Sequence, residues 1–163
     1  VRNRSTTREA ADASEIVTEI EPLMRADARA SDVRLLFELA ADLPRVSVDR
    51  IQIQQVVLNL VRNSIDAIRD TPPGRRDVRV RTGAAADGQI LITVQDNGVG
   101  VAAEIRDRLF TPFVTTKESG TGLGLAISRT IVEAHRGRLD YRPNEPGGAC
   151  FTVTLPPGPD TPG

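Results

Sequence analysis

Polar and apolar residues change rhythm along the chain, and each change marks an element. From Ala10 the apolar positions Ile16, Val17, Ile20, Leu23 and Met24 recur at helical spacing, and Pro22 is expected to kink or break that helix. Val33, Leu35, Phe37 and Leu39 then alternate with Arg34, Leu36 and Glu38, the period-2 pattern of a half-buried strand. Asp49 stands as the N-cap of a long helix running to about Arg69, which Thr71-Pro72-Pro73-Gly74 stops. Val78, Val80 and Thr82 alternate in one strand and Ile90, Ile92 and Val94 in another, with Asp87-Gly88 between them predicting a hairpin. After Gln95 come a glycine-broken loop, a short helix near 102–109 and an irregular polar stretch to Gly120. A second clear helix spans about 122–135, with Gly137 as its C-terminal glycine. Two closing strands, near 138–142 and 149–155, are joined by a turn at 143–148. Residues 1–9 read as a linker or the end of a preceding element, and the run from Pro156 ends in a tail at 158–163. This order predicts an α+β domain, a mixed sheet carrying helices on one face, with a long loop in the middle.

Composition narrows the function classes. A chain of 163 residues suits one domain with a proper core. Its 21 basic and 22 acidic residues nearly cancel, so the basic surface of a nucleic-acid binder is not expected. The single cysteine, Cys150, can form no intrachain disulfide, which suits a reducing cytoplasm. No stretch approaches the roughly 18 apolar residues of a membrane span, and no signal-peptide pattern opens the chain. The expectation is a cytoplasmic fragment without membrane contact of its own. Aromatic residues make up 3% of the chain, so the core must be built from Val, Ile, Leu and Ala.

The helix after Asp49 carries the first candidate chemistry. At about 100° per residue, Gln52, Gln55, Asn59, Asn63 and Asp66 fall within a stripe of roughly 80°, while nearly everything else on the helix is apolar. The stripe is either a solvated edge or the floor of a cavity for a polar ligand. Its amide and carboxylate oxygens suit a hard cation such as magnesium. Asp96-Asn97-Gly98-Val99-Gly100 follows an apolar strand directly. It is either a simple turn, or a site where Asp96 accepts from a purine amino group and the glycines let a flat ring approach the backbone. Gly120-Thr121-Gly122-Leu123-Gly124-Leu125 runs from loop into helix, where free N–H groups and the helix dipole favour an anion. The spacing fits neither a dinucleotide fingerprint nor a Walker A loop. Lys117, just upstream, is either solvated or a partner for a terminal phosphate. Phe110 and Phe113 either anchor the loop or face a partner. His135, near a helix C-terminus, reads as a dipole contact rather than a catalytic group.

Order and spacing together carry more than any single signal. Gln55-x3-Asn59-Leu60-x2-Asn63 resembles the N box of sensor histidine kinases, Asp96-x-Gly98-x-Gly100 the first glycine box, Phe110-x2-Phe113 the F box, and Gly120–Leu125 the second glycine box. Ile131-Val132-Glu133-Ala134-His135, followed by Gly137, is similar to the same family, and the resemblance extends over residues 10–157. The loop Thr115–Ser119 looks like that of nitrogen-regulatory and oxygen-sensing kinases. The resemblance implies a Bergerat-type two-layer α/β sandwich that binds ATP and Mg2+ between the N-box helix and a flexible lid. By match to the motifs, Asn63 would hold magnesium and Asp96 the adenine amino group, with Gly98 and Gly100 beside the ring. Asn59 would help at the phosphates, Lys117 would contact the terminal one, and Gly120, Thr121, Gly122, Leu123 and Gly124 would close over them. Residues 111–120, with little apolar content, are expected to be mobile until a triphosphate arrives.

Departures and absences sharpen the reading. Asp66 stands where many relatives carry Lys or another residue, and Arg136 replaces the glycine usual after the histidine. The phosphoacceptor histidine of such kinases sits on a separate helical dimerisation domain, so that domain and a response regulator receiver domain are the implied partners. Gyrase-type ATPases, Hsp90-type chaperones, mismatch-repair clamps and anti-sigma serine kinases share the fold but place Glu four residues before the metal-binding Asn. Here that position is Asn59, whose amide cannot take a proton at neutral pH. The alternatives left beside a protein-histidine kinase are an ATPase of this fold and a nucleotide-sensing module without kinase activity.

Overall fold

The computed structural model of the chain describes residues 7–69, 71–72, 74–111, 124–144 and 147–159. The chain begins with β1 (Glu9–Ala11), α1 (Ala13–Glu19) and α2 (Glu21–Ala30). Asp12 caps α1 by accepting the Ser14 amide. The expected break at Pro22 is a change of helix at Ile20, which puts proline in the first turn of α2, where its missing N–H removes no helical bond. There follow β2 (Arg34–Leu39), β3 (Val46–Val48), α3 (Arg50–Ile68), β4 (Asp77–Ala84) and β5 (Ile90–Asp96). A 3-10 turn (Ala103–Arg108), α4 (Gly124–Ala134), β6 (Arg138–Pro143) and β7 (Ala149–Leu155) complete the described elements.

Alternation decides the main sheet. Among the described residues its five strands run in the order β2-β4-β5-β7-β6, with β2 parallel to β4 and the other neighbours antiparallel. The register aligns Val80, Val94, Phe151 and Tyr141 in one row and Ile92, Val153 and Leu139 in the next, all on the face that α3 covers. The opposite face carries Arg79, Arg81, Thr93, Thr152 and Arg142, as expected of a face on which none of the described helices packs. On α3, Ile53, Val56, Val57, Leu60, Val61 and Ile68 are fully buried. A fully buried aliphatic side chain contributes about 1.5–3 kcal/mol, whereas an exposed ion pair is worth about 0–1 kcal/mol. The aliphatic layer therefore decides stability. Ile51 departs from the expected apolar flank, being 55% exposed at the start of the helix.

Three local expectations are corrected. Residue 9 is not linker: β1 pairs antiparallel with β3 in a second, two-stranded sheet, and Glu9 forms an ion pair with Arg50. Just before it, Arg8 donates to the Ala134 carbonyl at the end of α4. Gly158 is not free tail either, since its N–H donates to the Arg45 carbonyl at 2.6 Å. At the end of α4 the left-handed residue is Arg136 (φ 60), not Gly137. The Arg136 amide bonds the Glu133 carbonyl and the Gly137 amide the Val132 carbonyl, the paired closing bonds of a Schellman end. Gly137 is glycine for space, because a Cβ there would stand 2.4 Å from the Thr154 carbonyl oxygen.

Candidate functional site

Asp49 starts the site by fixing the helix that carries it. Its Oδ1 accepts the Ile51 and Gln52 amides, two of the N–H groups that a helix start leaves without partners. With the apolar face of α3 against the sheet, the polar stripe turns outward: Gln55 and Asp66 are exposed, while Gln52, Asn59 and Asn63 are half-buried. Asp66 pairs with Arg69 at 3.4 Å. Gln55 and Asn59 line a cavity of about 200 Å³ between α3 and α4, closed on the α4 side by Gly124, Ile127 and Ser128. The stripe is thus a solvated edge at Asp66 and the wall of a cavity at Gln55 and Asn59.

Asn59 is tied to α4. Its Nδ2 donates to Ser128 Oγ at 3.0 Å. A Cβ on Gly124 would lie 2.8 Å from Asn59 Oδ1, so glycine at this position leaves room for the amide. Ser128 was not singled out in the sequence, although it lies one turn after Gly124 on the same helix face.

At the end of β5, Asp96 is 2% exposed. Its Oδ1 accepts the Gly98 amide at 3.0 Å and the Ala149 amide at 3.2 Å, which offsets the penalty for burying a carboxylate. The segment beyond it is shaped by close approach. A Cβ on Gly98 would stand 3.2 Å from the Ala67 carbonyl oxygen and from Ile68 Cα. This puts the glycine segment on the last turn of α3, the helix that carries Asn59 and Asn63. Gly100 has φ +78, and a Cβ there would meet the Gly148 carbonyl oxygen at 3.1 Å. Gly148 has φ +104, and its Cβ would fall 1.9 Å from the Asp96 carbonyl oxygen. Asn144 donates its Nδ2 to that same carbonyl at 2.8 Å and accepts Gln95 Nε2 at 2.8 Å. Asn144 and Gly148 carried only a turn signal in the sequence, because their role depends on which strand end the turn lies against.

The structure thus brings Asn59 and Gly124 together between α3 and α4, sets Asp96 and Gly98 at the last turn of α3 with Gly100 against the β6–β7 turn, and leaves Asn63 half-buried on α3 between the two groups. Lys117, Gly120, Thr121, Gly122 and Leu123 lie outside the described residues, as do Phe113 and all of the expected lid beyond Thr111. Phe110 takes the first of its two readings: it packs edge-to-face on Phe151 with centroids 6.4 Å apart, and the Arg129 guanidinium lies 5.3 Å over its ring. His135 is 3% exposed. Its Nε2 accepts the Asp49 amide at 3.1 Å, so Nδ1 carries the hydrogen it gives to the Ile131 carbonyl. The ring therefore bridges the end of α4 and the start of α3, in keeping with a contact at the helix end.

Among the described residues no group of three or more His, Cys, Asp or Glu side chains could hold a metal ion. A metal here would draw most of its shell from a bound ligand's phosphates and water, which is the habit of magnesium, and a single amide oxygen such as that of Asn63 fits that arrangement. No helix among the described residues is long and apolar enough to cross a membrane.

Comparison with known proteins agrees on one family. The profile of histidine kinase-, DNA gyrase B- and HSP90-like ATPases matches residues 48–159. The C4-dicarboxylate transport sensor protein DctS of Rhodobacter capsulatus is 40% identical over 96% of this chain and 24% of its own length. The sensor protein FixL of Bradyrhizobium diazoefficiens is 43% identical over 88% of this chain and 28% of its own. The chain therefore spans about a quarter of the length of these relatives. Among solved structures, the catalytic domain of histidine kinase ThkA superposes with a TM-score of 0.78 at 30% identity, over 93% of this chain and 96% of that one. The same kinase in complex with response regulator protein TrrA gives a TM-score of 0.78 at 26% identity, over 96% of this chain and 43% of that one.

Proposed function

The chain belongs to the histidine kinase-, DNA gyrase B- and HSP90-like ATPases, as a sensor histidine kinase catalytic domain of Bergerat fold, and from that premise we propose how it works. It holds Mg-ATP between α3 and the segment 111–123 and donates the γ-phosphoryl group to a histidine on the separate dimerisation domain of the same kinase. A response regulator receiver domain then takes the group. Asp96 accepts from the adenine amino group, and Gly98 and Gly100 lie beside the ring in a segment drawn in against α3 and the β6–β7 turn. Asn59 and Lys117 serve the phosphates, with Gly120, Thr121, Gly122, Leu123 and Gly124 supplying backbone N–H groups and space around them. Asn63 would hold magnesium, an ion that when bound draws charge off the phosphate oxygens.

The observation that carries this reading is Asp96, a buried carboxylate held by two amides at a strand end, against the helix that bears Asn59 and Asn63. Transfer to another protein is favoured over hydrolysis because position 59 offers an amide already engaged with Ser128, not a carboxylate able to activate water. Calorimetry should show ATP and ADP binding to the chain alone. Asn63→Ala should weaken its magnesium-dependent part, and Asp96→Ala should remove the preference for adenine. With radiolabelled ATP, label should appear on the histidine-bearing dimerisation domain only when the two pieces are mixed. Absence of nucleotide binding, or label on this chain alone that His135→Gln abolishes, would overturn the proposal.

A further inference from the structure

The turn between β6 and β7 is built onto Asp96 more tightly than a strand connection requires. Two contacts reach Asp96 and two more brace Asn144. Asn144 Nδ2 donates to the Asp96 carbonyl at 2.8 Å, Gln95 Nε2 donates to Asn144 Oδ1 at 2.8 Å, the Asn144 amide donates to the Gly148 carbonyl at 3.1 Å, and the Ala149 amide donates to Asp96 Oδ1 at 3.2 Å. The direction of the side-chain relay is fixed, because a carbonyl can only accept and Asn144 must therefore turn its nitrogen toward Asp96. Gln95 then has to present its own nitrogen to Asn144 Oδ1. Gly148 closes the same contact sterically, since any Cβ would overlap the Asp96 carbonyl.

We infer that Asn144, oriented by Gln95, is a positioning residue that sets the nucleotide specificity of Asp96. The inference rests on the reading of Asp96 as the acceptor for the adenine amino group. Discrimination at such a site is geometric. Adenine offers a donor at position 6 where guanine offers an acceptor, so a carboxylate oxygen held in place attracts one base and repels the other. Holding the Asp96 backbone on its far side keeps that oxygen from retreating when guanine approaches. Asn144 touches neither base nor phosphate in this scheme; it acts through Asp96.

The test compares Kd for Mg-ATP and Mg-GTP, by calorimetry on the whole chain, in the wild type, Asn144→Asp and Gln95→Glu. Asn144→Asp keeps the shape but turns a donor into a charged acceptor facing the Asp96 carbonyl. Gln95→Glu leaves Asn144 in place and sets an acceptor against its Oδ1, which turns the amide the wrong way round. Each should weaken ATP and spare GTP, lowering the ATP-to-GTP preference by about fivefold to tenfold, the effect of losing one aligned hydrogen bond. A purely structural role would weaken both nucleotides alike. Equal losses, or an unchanged preference in either variant, would overturn the inference. Should Asn144→Asp fail to fold, Gln95→Glu gives the same reading. A wild type with no adenine preference at all would overturn the assignment of Asp96 itself, a distinct result.

Discussion

His135 and Asp49 meet across the ends of two helices, the ring Nε2 accepting the Asp49 backbone N–H at 3.1 Å. The same Asp49 caps α3, so one side chain of α4 steadies the residue from which the N-box helix starts. His135→Ala removes the acceptor and leaves a buried amide and a cavity together. We expect a loss of about 2–4 kcal/mol, seen as a thermal midpoint lower by about 2–4 °C for each kcal/mol. Label transfer to the dimerisation domain should survive at temperatures where the variant is folded. An unchanged midpoint would show that the bridge does not bear on stability.

Arg136 holds the left-handed position that closes α4, with φ 60. That conformation costs an L residue about 1–2 kcal/mol, while glycine adopts it freely at a smaller entropic cost. Arg136→Gly should therefore raise stability by about 0.5–1 kcal/mol, read as a higher denaturant midpoint at constant slope. A lower midpoint would contradict the conformation assigned here.

Gly124 separates stability from activity. Alanine would improve helix propensity by up to about 1 kcal/mol, but its Cβ would press on the Asn59 amide, 2.8 Å from Oδ1 and 2.9 Å from Nδ2. The amide is the end of a side chain and can swing aside, at the expense of its bond to Ser128. Gly124→Ala should melt no lower than the wild type and transfer phosphoryl at least several-fold more slowly, in paired melting and single-turnover assays. Full activity would remove Asn59 from the phosphate machinery.

At the parallel edge of the sheet Arg34 grips Asp77 with two bonds of 2.9 Å. The side-chain hydrogen bond from Arg34 holds the Asp77 carboxyl below its ordinary range, against a partial opposing effect of desolvation. A carboxyl depressed in the folded state contributes stability that is complete above its unfolded value and is lost as pH falls through its folded value. The stability difference between wild type and Arg34→Met should accordingly be largest near neutrality and shrink on acidification through that range. A difference independent of pH in denaturation at several acid pH values would argue against the pair.

Long-period signals were legible and short-range accidents of packing were not. α3 was readable from Asp49 to Arg69 because nineteen residues repeat one face and a capping side chain announces the start. The β4–β5 hairpin was readable because seven-residue or longer alternations flank a turn dipeptide. β1 and β3, of three residues each, are too short for any period to show and exist only through their mutual pairing. Within the site, Asn59, Asn63 and Asp96 stood out as polar groups at fixed steps in apolar surroundings. Ser128, Asn144 and Gly148 did not, because nothing in their own neighbourhood tells which distant backbone they will touch. The C-terminal glycine of α4 was misplaced by one residue for a related reason: Gly137 is demanded by Thr154, a residue of β7, not by the helix it follows.

The interlocking of Gly98 and Gly100 with Gly147 and Gly148 has a bearing on how such a sequence can change. Gly148 lies against the Asp96 carbonyl, the Gly148 carbonyl fills the room beside Gly100, and the Gly98 carbonyl lies at ordinary contact distance, 3.6 Å, from where a Cβ of Gly147 would be. A Cβ on Gly148 would overlap the Asp96 carbonyl and one on Gly100 would crowd the Gly148 carbonyl, so neither residue can take a side chain unless the opposite loop moves. The two loops are therefore coupled at Gly100 and Gly148, where any side chain meets the backbone opposite. A side chain at either position requires a new length or path for the β6–β7 turn, and with it a new seat for the backbone of Asp96.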